Sequence, residues 1–118
     1  MILIVEDEPL IALDLGYACA DAGLAHKTAA TSRQAMAILK EGGISGLILD
    51  INLGRGETCE GVAAFAQENG IPFVLNTGDL DRVGETLREM NAPIIAKPSS
   101  AEAVVSTLLH GMSASPVE

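Results

Sequence analysis

Four short apolar runs in this sequence are followed directly by side chains that could do chemistry. Glu6 and Asp7 follow the first run, Asp50 the third, Thr77 the fourth and Lys97 the fifth. Carboxylates held close together repel one another, and a hard divalent cation such as Mg²⁺ relieves that repulsion. Beside such a cation, Asp50 could attack phosphorus as a nucleophile. Lys97 and Thr77 would then interact with the phosphoryl oxygens.

These side chains can meet only if the runs belong to one parallel sheet. Short apolar runs alternate with helical periodicity along the chain, which predicts an α/β fold with helices on both faces of a parallel sheet. The predicted strands span residues 1–5, 25–29, 47–49, 73–76 and 94–96, and the predicted helices span 9–22, 32–39, 60–68, 81–90 and 100–110. The carboxyl ends of parallel strands meet at one edge, where ligands bind in such folds.

The order of these residues on these elements resembles that of response-regulator receiver domains of two-component systems. The marks that carry the resemblance are Glu6-Asp7, Asp50, Thr77 and Lys97-Pro98. The resemblance implies a doubly wound, flavodoxin-like sheet of five parallel strands in the order 2-1-3-4-5, with about five helices. It places the receiver domain at residues 1–111, and the small polar residues 112–118 are expected to form a short flexible tail.

The resemblance also implies a role for each residue of the site. Asp50 would be the phosphoacceptor, with Thr77 and Lys97 contacting the phosphoryl group. Asp7 would bind Mg²⁺ directly and Glu6 through water, together with Asp50 and the backbone carbonyl of Asn52. The Lys97–Pro98 peptide bond would be cis, which is an X-Pro property.

The function implied is a phosphorylation-dependent signalling switch of a two-component system or phosphorelay. A histidine kinase or histidine phosphotransfer protein would donate the phosphoryl group, and an unknown downstream protein would read the result by contact, without an output domain. The chain would not be an enzyme beyond its own phosphorylation and dephosphorylation. A phosphate sink for a kinase is an alternative. A haloacid-dehalogenase-like phosphatase is another, but it needs a general acid/base where this chain has Asn52.

Composition limits the kinds of partner that the chain can be expected to bind. The chain has 118 residues, a formal net charge of −9 and 3% aromatic residues. This charge disfavours nucleic acid and anionic membranes as partners. No apolar stretch approaches the ~20 residues of a membrane helix. Two cysteines, Cys19 and Cys59, form no disulfide framework, so a reduced cytoplasmic setting is expected.

Two departures from the receiver pattern concern the switch. Gly54 replaces a proline that usually follows the phosphoacceptor, in a loop that looks longer than usual. Ile94 stands where many receivers have an aromatic residue coupled to the threonine. The fourth strand, residues 73–78, partly resembles a receiver subgroup with a Phe-Ala-Thr-Gly-like strand. We therefore expect a non-standard switch, based on ordering of the segment between Thr77 and Lys97.

Other residues are interpreted as structural. The apolar stripe of the first helix is predicted to include Leu10, Leu13, Ala18 and Ala22, and Tyr17 and Phe65 are predicted to be core. His26 and His110 are expected to be surface or partly packed residues rather than phosphate carriers or metal ligands. Cys59 is placed in a flexible loop where a redox role is conceivable but disfavoured.

Asn52 and Asp79 are the side chains expected to position water near a phosphoryl group.

Overall fold

Five parallel strands form one sheet in the order β2-β1-β3-β4-β5. The computed structural model describes residues 1–51, 59–78, 83–90 and 92–113. The strands are β1 (Ile2–Val5), β2 (His26–Ala29), β3 (Gly46–Asp50), β4 (Phe73–Thr77) and β5 (Ile94–Ala96). The prediction of a doubly wound α/β fold with this strand order is therefore confirmed.

In the described residues, five helices connect or follow the strands. They are α1 (Pro9–Asp21), α2 (Ser32–Glu41), α3 (Glu60–Glu68), α4 (Glu85–Arg88) and α5 (Ala101–Ser113). The fourth is shorter than the predicted helix over 81–90, of which residues 81 and 82 lie outside the described part of the chain. The fifth includes residues 112 and 113 of the predicted tail, and residues 114–118 are not described.

The start of α2 shows how the sequence sets a helix boundary. Ser32 is the first helical residue, and the N-cap is Thr31, whose side chain accepts a hydrogen bond from the Gln34 N–H at 3.1 Å. In return, the Gln34 side chain accepts a bond from the Ala30 N–H at 2.8 Å. This reciprocal arrangement, close to a capping box, satisfies backbone donors that the helix itself leaves unpaired.

Alternation along the strands divides the core into two layers. Leu3, Leu47 and Leu49 face the layer that holds α2, α3 and α4. Ile4, Ile48 and Val74 face the layer that holds α1 and α5. Because successive strand residues point to opposite faces, a continuous apolar run buries both faces of the central strands, as predicted.

The exposed face of α1 corrects the sequence prediction. Leu10, Leu13 and Tyr17 are 74%, 52% and 62% exposed. The buried face instead consists of Leu15, Gly16, Ala18 and Cys19. Of the predicted stripe only Ala18 is buried, and Ala22 is an exposed C-cap residue. Tyr17 is not core, whereas Phe65 packs partly buried against the other layer. Small residues on the buried face let α1 approach its neighbours closely.

No helix among the described residues is long and apolar enough to cross a membrane.

Candidate functional site

The sheet register brings the predicted site residues to one edge. Glu6 follows β1, Asp50 ends β3 and Thr77 ends β4. Val5 pairs with Leu49 in the register, so Glu6 and Asp50 leave neighbouring strands side by side. Thr77 pairs with Ala96, which places Lys97 next to it. The strand order, with β1 and β3 adjacent at the centre, thus determines which side chains meet.

Lys97 links the two buried carboxylates. Its Nζ lies 3.0 Å from Oε1 of Glu6 and 3.4 Å from Oδ1 of Asp50. Its backbone N–H donates to the Thr77 carbonyl at 2.6 Å, which fixes the start of its side chain. Burial favours the neutral amine, but the hydrogen bond to Glu6 and the charge of Asp50 outweigh this and raise the pKa of Lys97. The lysine therefore stays positively charged at neutral pH.

Glu6 and Asp7 are adjacent in sequence but lie in different surroundings. Glu6 is 4% exposed, and its Oε2 accepts a hydrogen bond from the Glu8 N–H at 3.2 Å. Burial and then the charge of Asp50 raise the pKa of Glu6, against the opposing effect of Lys97. Asp7 is exposed to solvent. The site therefore has one carboxylate held by the protein and another that water can reach.

The donor set suits a divalent cation. One carboxylate oxygen from each of Glu6, Asp7 and Asp50 lies within 4.8 Å of the other two. Oxygen ligands at this separation fit a hard cation that retains several waters, as Mg²⁺ does. Asn52, the fourth predicted ligand, lies outside the described residues, as does Asp79.

The residues around Lys97 and Thr77 complete this edge. Thr77 is fully buried, and the Lys97–Pro98 peptide bond is cis, as the resemblance implied. The Ser99 hydroxyl donates to the Ala96 carbonyl at 2.6 Å. Ile94 is partly buried against the layer of α2, α3 and α4, so an aliphatic side chain occupies the start of β5.

Cys59 differs from the prediction. It is fully buried at the N-terminal end of α3, while residues 52–58 of the preceding loop are not described. Burial, with a smaller effect from the charge of Asp50, raises the pKa of the Cys59 thiol to about 12. Because the thiolate is the reactive form, this burial disfavours a redox role for Cys59, as the sequence predicted.

Sequence reasoning overlooked Asn76. This residue of β4 is 5% exposed, and its side-chain Oδ1 has no hydrogen-bond partner among the described residues. A polar residue inside an apolar strand was the available signal, since buried polar groups are almost always paired. Both histidines are exposed, as expected.

Comparisons with solved structures agree with this fold. SdrG from Sphingomonas melonis Fr1 is 36% identical, with a TM-score of 0.76 over 92% of this chain and 95% of that one. A response regulator receiver protein from Sinorhizobium medicae WSM419 has a TM-score of 0.84 at 23% identity, over 98% of this chain and 95% of that one. The receiver domain of NtrX from Brucella abortus has a TM-score of 0.82 at 22% identity, over 98% of this chain and 100% of that one.

The sequence matches a family model but no curated protein. The family model described as the response regulator receiver domain matches residues 2–109. With nearly the whole chain matched, the strand order 2-1-3-4-5 and the acidic edge beside Lys97, the chain belongs to the response-regulator receiver domain family.

Proposed function

We propose that this receiver domain accepts a phosphoryl group on Asp50 and thereby works as a switch in a two-component system or phosphorelay. The observation that carries the proposal is the placement of Asp50. Asp50 is 4% exposed at the end of a buried strand, with the Lys97 ammonium 3.4 Å from its Oδ1 and two further carboxylates nearby. Such a position combines a fixed nucleophile with charges that can interact with a phosphoryl group.

The transfer proceeds by displacement at phosphorus. A carboxylate oxygen of Asp50 forms the new P–O bond while the P–N bond to the donor's phosphohistidine breaks. The electron pair of the broken bond returns to the imidazole nitrogen. The donor is therefore a histidine kinase or a histidine phosphotransfer protein, and the chain modifies itself rather than turning over a separate substrate.

The two cysteines of the chain are free thiols, consistent with a cytoplasmic location.

Each side chain of the site has a distinct task in this proposal. Asp7 and Asp50 would hold Mg²⁺ directly and Glu6 would hold it through water, and the Asn52 carbonyl would be a further ligand. The cation supplies positive charge to the phosphoryl oxygens. Lys97 supplies a second positive charge, and its existing bonds to Glu6 and Asp50 keep its ammonium at the site before transfer. Thr77 provides a hydroxyl donor to the bound phosphoryl group.

The proposal is tested by intact-mass measurement after incubation with a small-molecule phosphodonor. The wild-type chain is expected to gain the mass of one phosphoryl group when Mg²⁺ is present and none after chelation. Asp50→Asn removes the nucleophile and is expected to gain nothing. Asp21→Asn, which changes an exposed carboxylate at the end of α1, is the matched control and is expected to react like wild type. Equal labelling of Asp50→Asn and wild type would refute the proposal.

A second measurement separates the switch from a phosphate sink. Beryllofluoride with Mg²⁺ mimics the phosphoryl group, and backbone amide resonances report where the structure responds. A switch requires shifts that extend beyond the site to Leu87 of α4 and Ile94 of β5. Shifts confined to the residues around Glu6, Asp50 and Lys97 would instead indicate a sink.

A further inference from the structure

A cavity lies between α1 and α5, adjacent to the acidic edge but not part of it. Its volume is about 190 Å³. Its apolar walls are Ile11 and Leu15 from α1 and Ala101 and Val104 from α5. The carboxylates of Glu6, Asp7 and Asp50 do not line it. Lys97 lines the cavity and so separates it from the acidic edge.

The unpaired oxygen of Asn76 belongs to this cavity. Asn76 lines it, and residue alternation along β4 puts this side chain on the same sheet face as Val74, toward α1 and α5. The residue is 5% exposed and its Oδ1 has no partner among the described residues. A buried acceptor without a donor is unfavourable, so a native structure that retains one calls for a donor from outside the described chain.

The other polar groups of the cavity do not supply that donor. The Lys97 ammonium is bonded to Glu6 and lies beside Asp50. The Ser99 hydroxyl donates to the Ala96 carbonyl. Asp14, an exposed residue of α1 that also lines the cavity, contributes a second acceptor and a negative charge. The Lys97 ammonium also lines the cavity, but Glu6 and Asp50 offset its positive charge. The cavity thus combines the Asn76 and Asp14 acceptors, the negative charge of Asp14 and apolar walls.

We propose that this cavity binds a single cationic N–H donor, a guanidinium or alkylammonium group. Asn76 Oδ1 and the Asp14 carboxylate would accept its hydrogen bonds, and Ile11, Leu15 and Val104 would pack against its alkyl stem, as apolar surfaces do with arginine and lysine side chains. A volume of about 190 Å³ is below the ~300 Å³ at which pockets for drug-sized ligands begin, so one functional group fits and a larger metabolite does not. This binding does not depend on phosphorylation of Asp50.

The test is an NMR titration of the full chain without Mg²⁺ or phosphodonor, so that its result is independent of the proposed phosphotransfer. The probes are methylguanidinium and ethylammonium. We expect saturable shifts of the backbone amides of Leu15, Ala101 and Val104. Two control probes separate the required properties: tetramethylammonium has the charge without N–H donors, and urea has N–H donors without the charge. Both are expected to bind at least tenfold more weakly.

Variants of Asn76 and Asp14 show whether the probes bind in this cavity. Asn76→Leu removes the acceptor at similar volume and is expected to weaken binding at least tenfold. It should fold, since it replaces an unpaired polar group in an apolar layer. Asp14→Asn, at an exposed position, provides an independent test and is also expected to weaken binding. Asp21→Asn on the same helix, away from the cavity, is the control and should leave the dissociation constant unchanged.

N-acetylarginine amide identifies the source of the cation. Saturable binding of both this compound and methylguanidinium would support a partner protein's arginine as the ligand, and binding of methylguanidinium alone would support a free small cation. Linear, non-saturating shifts with every probe would overturn the proposal, because they would mean that water fills the cavity. Unchanged affinity in both Asn76→Leu and Asp14→Asn would overturn it equally.

Discussion

β3 and β5 deliver opposite charges to the same edge of the sheet, but they are built very differently. β3 has five residues, all buried, with a neighbouring strand on each side, and it ends at Asp50. β5 has three residues that are partly buried or exposed, lies at the sheet edge, and precedes Lys97. The preceding helix, α4, has only four residues.

This difference indicates how each charge is held in place. The position of Asp50 is determined by packing on both faces of a central strand. The position of Lys97 depends more on individual polar contacts, namely its backbone bond to Thr77 and its ion pairs with Glu6 and Asp50. Asp50 is therefore held in place by the core, and Lys97 is held in place largely by the other residues of the site. Local stability of this kind varies within one domain.

The largest effect is expected from truncating matched isoleucines in the two strands. Ile48 of β3 and Ile95 of β5 contribute to the same layer, but Ile48 is 1% exposed and Ile95 is only partly buried. Ile48→Ala should lower the free energy of unfolding by about 4 kcal/mol and Ile95→Ala by about 2 kcal/mol, since the cost follows the buried volume and the ability of the surroundings to relax. Urea denaturation measures both.

Equal losses in the two variants would contradict the comparison, because they would place β5 in the core as firmly as β3. The slope of unfolding free energy against urea should be the same for both variants and wild type, which confirms that stability alone has changed.

Removing the charge at the end of β5 is expected to have the next largest effect. Lys97→Met keeps an apolar stem but leaves Glu6 and Asp50 without their cation, which should cost about 1–3 kcal/mol, less than for a fully buried pair because the Lys97 side chain is 23% exposed. Mg²⁺ should restore part of the loss by binding the folded state. A variant as stable as wild type without Mg²⁺ would show that β5 needs no ion pairs. Because the pKa of Lys97 is raised, wild type should lose this contribution only above pH 10.5.

A smaller effect, visible as a pH dependence, is expected at Glu6. Folding raises the pKa of this group above its ordinary value of 4.5, mainly through burial. Its stabilising contribution is thus fully present below pH 4.5 and is lost as the pH rises through the raised value. When the experiment is done in the absence of Mg²⁺, Glu6→Gln should abolish this loss of folding stability at higher pH. Thermal unfolding between pH 4 and 8 measures it, and identical pH profiles of Glu6→Gln and wild type would contradict the assignment.

The smallest effect concerns thiol reactivity near the end of β3. Cys59 is fully buried and its pKa is about 12, so it should not react with a thiol reagent at pH 8 in the folded state. Both Cys59 and Cys19 should react after addition of urea. Rapid reaction of Cys59 in the native chain, with Cys59→Ala as the control, would show that the core beside β3 opens readily.

The sequence predicted most of the fold because its apolar runs leave little choice. Continuous runs such as residues 47–49 indicate burial on both faces, and their alternation with helical segments indicates a parallel sheet with helices on both sides. The polar residues that end these runs then had to share one edge. The site residues Glu6, Asp50 and Lys97 could be found for the same reason, since each follows directly from a strand end.

The errors arise where the local pattern allows two solutions. α1 carries large apolar residues on both of its sides, so periodicity does not decide which side is buried. Packing decides it: the face with Gly16, Ala18 and Cys19 is turned inward, and Leu10 and Tyr17 remain outside. Asn76 was missed because strand patterns report which face a residue occupies but not whether its hydrogen bonds are satisfied.

The contact between Lys97 and the two buried carboxylates has a consequence for ion valence. Three carboxylates, Glu6, Asp7 and Asp50, count −3, and the Lys97 ammonium reduces this to −2. One divalent cation therefore makes the cluster electrically neutral, whereas one Na⁺ or K⁺ leaves a charge of −1. Lys97 thus acts as an internal counter-ion that sets the net charge of the cluster at −2. Abundant monovalent ions should therefore compete poorly with a divalent cation for this cluster.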